Sequence, residues 1–303
     1  MTMSSDTSKS KADAKRATGA SVPAKPEPTR PQVLKALHVG SGDPLLLLHG
    51  FMLSPHCWEQ TAARLSSQCE VFAPAFAGHW GGEPADGWSV DIHALADRVE
   101  DQLDELGWRT CHIAGNSLGG WVGVELARRG RARTLTLIAP AGGWHIPSLA
   151  QMRTCLKFLS LVPVIQIGKR LGGFAINNPV IQRLALLPLS KNAAAVSRRD
   201  TAAAITATLN CPAMLAIIVG TARGPEQEDL STLQTPVRLL LSEYDRVIPN
   251  RSYARRYLKE LPDSADRIVV HGVGHVPMLE APDRIATLIA EHVYASRNRL
   301  RAV

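Results

Sequence analysis

Cysteine is scarce in this chain and badly placed for cross-linking. Cys57, Cys69, Cys111, Cys155 and Cys211 are odd in number, and no two form a Cys-x-x-Cys pair. That argues against a metal site and a disulfide framework and favours a reducing compartment. A long apolar run is also missing. The most aliphatic stretch, Leu156 to Leu189, is interrupted by Lys157, Pro163, Lys169, Arg170 and Arg183, so nothing approaches the ~20 apolar residues of a membrane span. The first thirty residues hold almost no large apolar side chain and no apolar core of a signal peptide. Residues 1–31 are therefore expected to be a disordered polar and basic tail, and the protein cytoplasmic. The rest of a 303-residue chain is long enough to bury roughly 75% of its unfolded surface without staples.

Acidic residues are nearly absent from one internal segment. Residues 142–215 contain Asp200 as their one acid against eight bases, namely Arg153, Lys157, Lys169, Arg170, Arg183, Lys191, Arg198 and Arg199. The tail is also basic, and the remainder is net acidic although the whole chain is +7. With no groove-reading motif and no interleaving of bases with aromatics, nucleic acid is excluded as a partner.

What the chain does contain is a regular alternation. Val33–Val39 reads as a strand, and Leu45–Leu48 is an unbroken apolar run ending in His49-Gly50. Short unbroken runs between turn signals suit strands buried on both faces, as in a parallel sheet. Similar runs lie at 70–73, 110–114, 134–138, 237–241 and 267–270, with helical patterns between them at 58–65, 92–106, 121–129, 252–261 and 282–296. The order predicts a doubly wound, mostly parallel α/β sheet. Within it, residues 32–141 and 216–303 form the core, and 142–215 a helical cap inserted over the sheet's carboxyl edge.

The chemistry is concentrated in Gly115-Asn116-Ser117-Leu118-Gly119-Gly120, a Gly-x-Ser-x-Gly sequence between a strand and a helix. A serine on such a turn is held with its hydroxyl above the sheet, and the glycines let strand and helix approach closely. Serine needs a base, usually histidine oriented by a carboxylate. Asp245 follows the strand 237–241 and His275 follows 267–270. Both fall in loops at the carboxyl ends of strands, where sites of open α/β sheets form. Glu243 and His271 are the competing acid and base, and His49 a third histidine to consider.

The chain resembles the α/β-hydrolase superfamily over about residues 33–296. The resemblance is carried by His49-Gly50-Phe51, the serine elbow, Asp245 with Pro249 beyond it, and Gly274-His275 with Glu280 and Pro282 after it. It implies Ser117 as nucleophile, His275 as base and then acid, and Asp245 as its orienting carboxylate. It also implies an oxyanion hole from the backbone N–H groups of Phe51 and Leu118, with His49 a structural histidine behind that loop. Gly78-His79-Trp80-Gly81-Gly82 departs from the family's usual Gly-His-Gly-x-Ser, and Ala75 stands where an aspartate is common.

Haloalkane dehalogenases and epoxide hydrolases of this superfamily use aspartate at the elbow, so Ser117 disfavours both. Asn116 before the serine resembles carbon–carbon hydrolases of meta-cleavage type, which act on ring-fission dienoates. Phe51-Met52-Leu53 and Val276 depart from that group, which has a glycine-rich oxyanion loop and a tryptophan after the histidine. The expectation is a carboxylic ester hydrolase working through an acyl-enzyme without cofactor or metal, with carbon–carbon hydrolysis as the alternative. A non-catalytic ligand-binding role on the same fold is disfavoured by the complete set of three catalytic groups. Met52, Trp80, Asn116, Trp144 and Val276 are the expected pocket residues. The aliphatic cap suggests an apolar acyl portion. Its bases are either solvated helix faces or an attraction for an anionic carrier, head group or membrane surface.

Overall fold

The computed structural model describes residues 32–301 except 86, 225, 226 and 228, with side chains described to residue 295. The tail expected over residues 1–31 lies outside them. Seven strands form one sheet: β1 Ala36–Gly40, β2 Asp43–Leu48, β3 Cys69–Pro74, β4 Cys111–Asn116, β5 Ala132–Ile138, β6 Val237–Ser242 and β7 Asp266–Val270. Their spatial order is β1-β3-β2-β4-β5-β6-β7, with β1 antiparallel to β3 and every other pairing parallel. This is the α/β-hydrolase fold expected above.

The unbroken apolar runs behave as parallel-sheet physics requires. Leu45 to Leu48 are each no more than 1% exposed. Leu46 and Leu48 pack into one core cluster, and Leu45 and Leu47 into another on the opposite face. Each such side chain stabilises the fold by roughly 1.5–3 kcal/mol.

Helices cover both faces, and some of their bounds differ from the sequence reading. The helix after β4 runs Leu118–Arg128; Gly119 and Gly120, poor helix formers, mask its true start. The helical pattern at 252–261 divides into Asn250–Tyr253 and Arg255–Glu260. Between β5 and β6 the chain is helical, with Leu149–Leu159, Val162–Leu171, Gly173–Asn177, Pro179–Leu186, Arg198–Leu209 and Met214–Arg223. The boundary drawn at 215 falls inside the last of these. That helix is tied to the core through Val90 N donating to Ala216 O at 3.0 Å and through Ile217 in the main core cluster, while its Ile218 packs with the cap residues Ile165, Ile205 and Leu209. Among the described residues no single helix is long and apolar enough to cross a membrane.

The turn between β4 and its helix leaves no space for a side chain at its glycines. A Cβ on Gly119 would lie 2.3 Å from Leu48 O and 2.7 Å from His49 O, and one on Gly115 2.2 Å from Gly119 O. These obstacles are backbone and cannot rotate away. We expect Gly119→Ala to lower Tm by about 6–12 °C, the equivalent of roughly 3 kcal/mol of overpacking in a chain of this size. Thermal denaturation followed by circular dichroism checks this; an unchanged Tm would mean the turn is looser than these contacts imply.

Candidate active site

Ser117 sits at the apex of that turn with φ 54° and ψ −116°. A positive φ at a non-glycine residue is strained, and the surroundings have to impose it. They do so through β5 and the loop that follows. Ser117 N donates to Ile138 O at 3.0 Å, and Ser117 O accepts from Ala141 N at 3.0 Å as well as from the first turn of its own helix. Ser117 is 7% exposed.

His275 and Asp245 meet although 30 residues separate them: His275 Nδ1 lies 2.7 Å from Asp245 Oδ2. Asp245 is an acceptor only when ionised, so this contact places the proton on Nδ1 and leaves Nε2 as the basic nitrogen. The other carboxylate oxygen, Oδ1, accepts from Val247 N at 2.9 Å and Ile248 N at 2.8 Å. Three donors thus fix one buried carboxylate. The competing acid and base form a separate exposed pair. Glu243 Oε2 accepts from Gly272 N at 2.8 Å and lies 3.5 Å from His271 Nδ1.

Two further anchors hold the His275 loop. Asn116, fully buried, donates its amide to Ile138 O at 3.1 Å and His275 O at 3.0 Å. Glu280 collects Gly274 N at 2.5 Å, Ser190 Oγ at 2.7 Å, Asn192 N at 2.8 Å and Lys191 N at 3.3 Å. It ties the histidine loop to the cap segment between helices Pro179–Leu186 and Arg198–Leu209. The motif beyond His275 marked Glu280, but its reach to residues 190–192 depends on tertiary packing. Lys157, one of the eight cap bases, turns inward and donates to Arg246 O at 3.2 Å and Val247 O at 2.5 Å. Partial burial lowers its pKa, with the Asp245 charge opposing. The Lys157 ammonium is thus engaged by backbone carbonyls, although the residue as a whole remains exposed.

Phe51 and Leu118 are the oxyanion donors expected from the sequence. Phe51, Ser117 and Leu118 line one cavity, and Leu118 N heads its helix, where N–H groups have no intrahelical acceptor. Behind Phe51, the buried His49 ring accepts from Phe76 N at 3.0 Å through Nε2 and donates from Nδ1 to Gly50 O at 2.9 Å. Both ring nitrogens are thereby used in the neutral form. Burial, and then the neighbouring His79, keep its pKa well below the usual histidine value. His79 packs on it with ring centroids 5.1 Å apart and on Phe51 at 5.8 Å. Its pKa is pushed down to about 4, chiefly by burial.

A histidine with a depressed folded pKa stabilises the fold above its unfolded value and loses that contribution as pH falls toward the folded one. For His79 the window runs from about pH 6.5 to about 4, with a loss on the order of 3 kcal/mol. We expect Tm to fall across this window, and to fall less steeply in His79→Gln. Parallel Tm profiles for the two proteins would show that His79 is not responsible.

The cavity above Ser117 holds roughly 570 Å³, part of it open to solvent. Trp121, Trp144, Ile217, Val247 and Ile248, all in the main core cluster, line one side, and Thr154, Phe158 and Ile218 the side toward the cap helices. Trp144 packs edge-on between Trp121 and Tyr253, at 5.9 and 5.6 Å. Of the pocket residues expected from the sequence, Trp144 is in this lining and four are elsewhere. Trp80 stacks on His56 at 4.9 Å. Met52 packs with the cap residues Ile165, Ile205 and Leu209. Asn116 is fully buried, with its NH₂ group donated to Ile138 O and His275 O and its Oδ1 left without a partner among the described residues. Val276 packs into the core cluster that contains Leu45 and Leu47.

A serine elbow above a mostly parallel sheet, with a buried histidine–aspartate pair on later loops, defines the α/β-hydrolase class. The chain belongs to the alpha/beta hydrolase family, whose sequence pattern matches residues 45–288. It is therefore a hydrolase of that family. It is 43% identical to the epoxide hydrolase EphH of Mycobacterium tuberculosis over 208 residues, 69% of this chain and 97% of that protein. Among solved structures it resembles a thermophilic esterase from Thermogutta terrifontis, with TM-score 0.67, 22% identity, and coverage of 86% of this chain and 93% of that one. The meta-cleavage product hydrolase of Pseudomonas fluorescens IP01 is comparably similar, with TM-score 0.65, 22% identity, and coverage of 86% and 94%. At such identity both structures establish the fold alone.

Proposed function

We propose that the protein hydrolyses a carboxylic ester with an apolar acyl portion, using Ser117 as nucleophile and His275, oriented by Asp245, as general base and acid. The observation that carries this is the 2.7 Å contact between His275 and Asp245 on loops beside an elbow serine, beneath an apolar cavity. In this reading His275 Nε2 takes the Ser117 Oγ proton as Oγ attacks the ester carbon. The oxyanion is held by Phe51 N–H and Leu118 N–H, each such donor contributing on the order of 3–4 kcal/mol. His275 then gives the proton to the leaving alkoxide. Water deprotonated by the same nitrogen releases the acid from the acyl-serine.

The similarity to EphH raises epoxide opening as a competitor, and a serine nucleophile speaks against it. Attack by a carboxylate on an epoxide carbon yields an ester, which water can cleave at its carbonyl. Attack by Ser117 would yield an ether with no carbonyl carbon, and turnover would stop there. Carbon–carbon hydrolysis draws its support from Asn116, whose NH₂ group is engaged by Ile138 O and His275 O rather than lining the cavity.

The test is a panel of nitrophenyl esters of increasing acyl length, with a ring-fission dienoate and an aryl epoxide alongside. Esters are expected to turn over, with kcat/KM rising as the acyl chain fills the cavity. Faster turnover of the dienoate or the epoxide than of every ester would refute the assignment.

A further inference from the structure

Several cap helices carry apolar side chains on their outer faces, and the first of them buries only polar ones. Helix Leu149–Leu159 buries Gln151 and Thr154 and presents Leu149, Met152, Leu156 and Leu159 to the outside, the first of these 65% exposed. Those four recur at helical spacing on one face. Helix Val162–Leu171 repeats the pattern. Ile165 faces inward, whereas Val164, Ile167 and Leu171 face outward, with Val164 62% exposed. Helix Pro179–Leu186 and the residue after it bury Gln182 and Leu186 and expose Val180, Leu184 and Leu187. Phe174, between the last two helices, is 60% exposed. An ordinary surface helix shows the reverse arrangement, and apolar surface concentrated in this way marks an interaction face.

Charge identifies the occupant. Arg153, Arg170 and Arg183 are exposed, one on each of these helices, and among the described residues none of them pairs with a carboxylate. By helical position each flanks the apolar stripe of its own helix. Residues 142–215 carry eight bases and one acid, so a second copy docked face to face would set like charges against each other. Aliphatic side chains edged by arginines instead match an anionic lipid surface, where the apolar face enters the headgroup boundary and the bases meet lipid phosphates.

We propose that the outer face of the cap, residues 149–187, docks on anionic membranes. This goes beyond the ester reading and does not depend on it. The inner face of helix Leu149–Leu159 lines the cavity above Ser117 through Gln151, Thr154, Cys155 and Phe158. One helix thus separates the lipid-facing surface from the site.

The experiment is flotation of the full-length protein with vesicles of phosphatidylcholine alone or an equimolar mixture with phosphatidylglycerol. The wild type is expected to float with the mixed vesicles and only weakly with the neutral ones. Two variants dissect the face: Leu156→Gln/Ile167→Gln/Leu184→Gln removes apolar surface, and Arg153→Glu/Arg170→Glu/Arg183→Glu reverses charge. Both should keep the wild-type Tm and the rate on a water-soluble ester, yet lose flotation. Each base removed weakens partitioning about fivefold, so the charge variant should lose at least ~100-fold. Equal flotation of wild type and variants would assign binding to another segment and overturn the proposal. So would a wild type that ignores the mixed vesicles, or one that instead forms a dimer abolished by the glutamine substitutions.

Discussion

Ser117→Ala is expected to reduce kcat on a nitrophenyl ester by about 10⁶-fold while leaving Tm within a few degrees of wild type. The size follows from how such sites work: removing the nucleophile costs about as much as removing the whole set of groups that serve it, because the others act only through it. What remains is the contribution of the oxyanion donors and of binding. The backbone at residue 117 already has φ 54°, imposed by hydrogen bonds to Ile138 and Ala141 that alanine keeps. The variant should therefore fold. His275→Ala combined with Ser117→Ala should be little worse than Ser117→Ala alone. If Ser117→Ala retained a tenth of the wild-type rate, another group would have to be the nucleophile.

Asp245→Asn should lower kcat about 10⁴-fold with little change in KM. The amide oxygen of asparagine can still accept from Val247 N and Ile248 N, which hold Oδ1 in the wild type. Its NH₂ group then faces His275 Nδ1 and donates where the carboxylate accepted. The imidazole is driven to the tautomer with its proton on Nε2, the nitrogen required as base. Glu243→Gln is the matched control, since that carboxylate meets Gly272 and His271 away from the pair. It should change kcat less than about twofold, as surface changes do. A larger effect from Glu243→Gln than from Asp245→Asn would reverse the assignment.

The sequence made the sheet legible and the pocket mostly illegible, for physical reasons. Each of the seven strands corresponds to an apolar run or alternation readable in one dimension, and the inner parallel strands read as unbroken runs because they bury both faces. Ser117, Asp245 and His275 could be ordered because each follows a readable strand. Pocket residues obey no such rule. Asn116 and Val276 adjoin Ser117 and His275 in the chain, yet adjacent side chains in an extended or turning backbone point to different sides. Asn116 turns to the backbone carbonyls of Ile138 and His275, and Val276 turns to the core cluster that contains Leu45 and Leu47. Val247 and Ile248, by contrast, line the cavity because their N–H groups wrap Asp245, an arrangement that only the folded loop reveals. The cap shows the same limit. The spacing of Leu149, Met152, Leu156 and Leu159 announces a helix face, but only the burial of Gln151 and Thr154 shows that this face points outward.

The central claim is that Ser117 carries the acyl group during turnover. It is tested most directly by mixing the protein with a nitrophenyl ester, quenching in acid within the first turnovers, and mapping the acylated peptide by mass spectrometry. The acyl mass is expected on Ser117 alone and absent from Ser117→Ala. An acyl group on any other residue, or steady turnover with no adduct when release of the acid is rate-limiting, would contradict it.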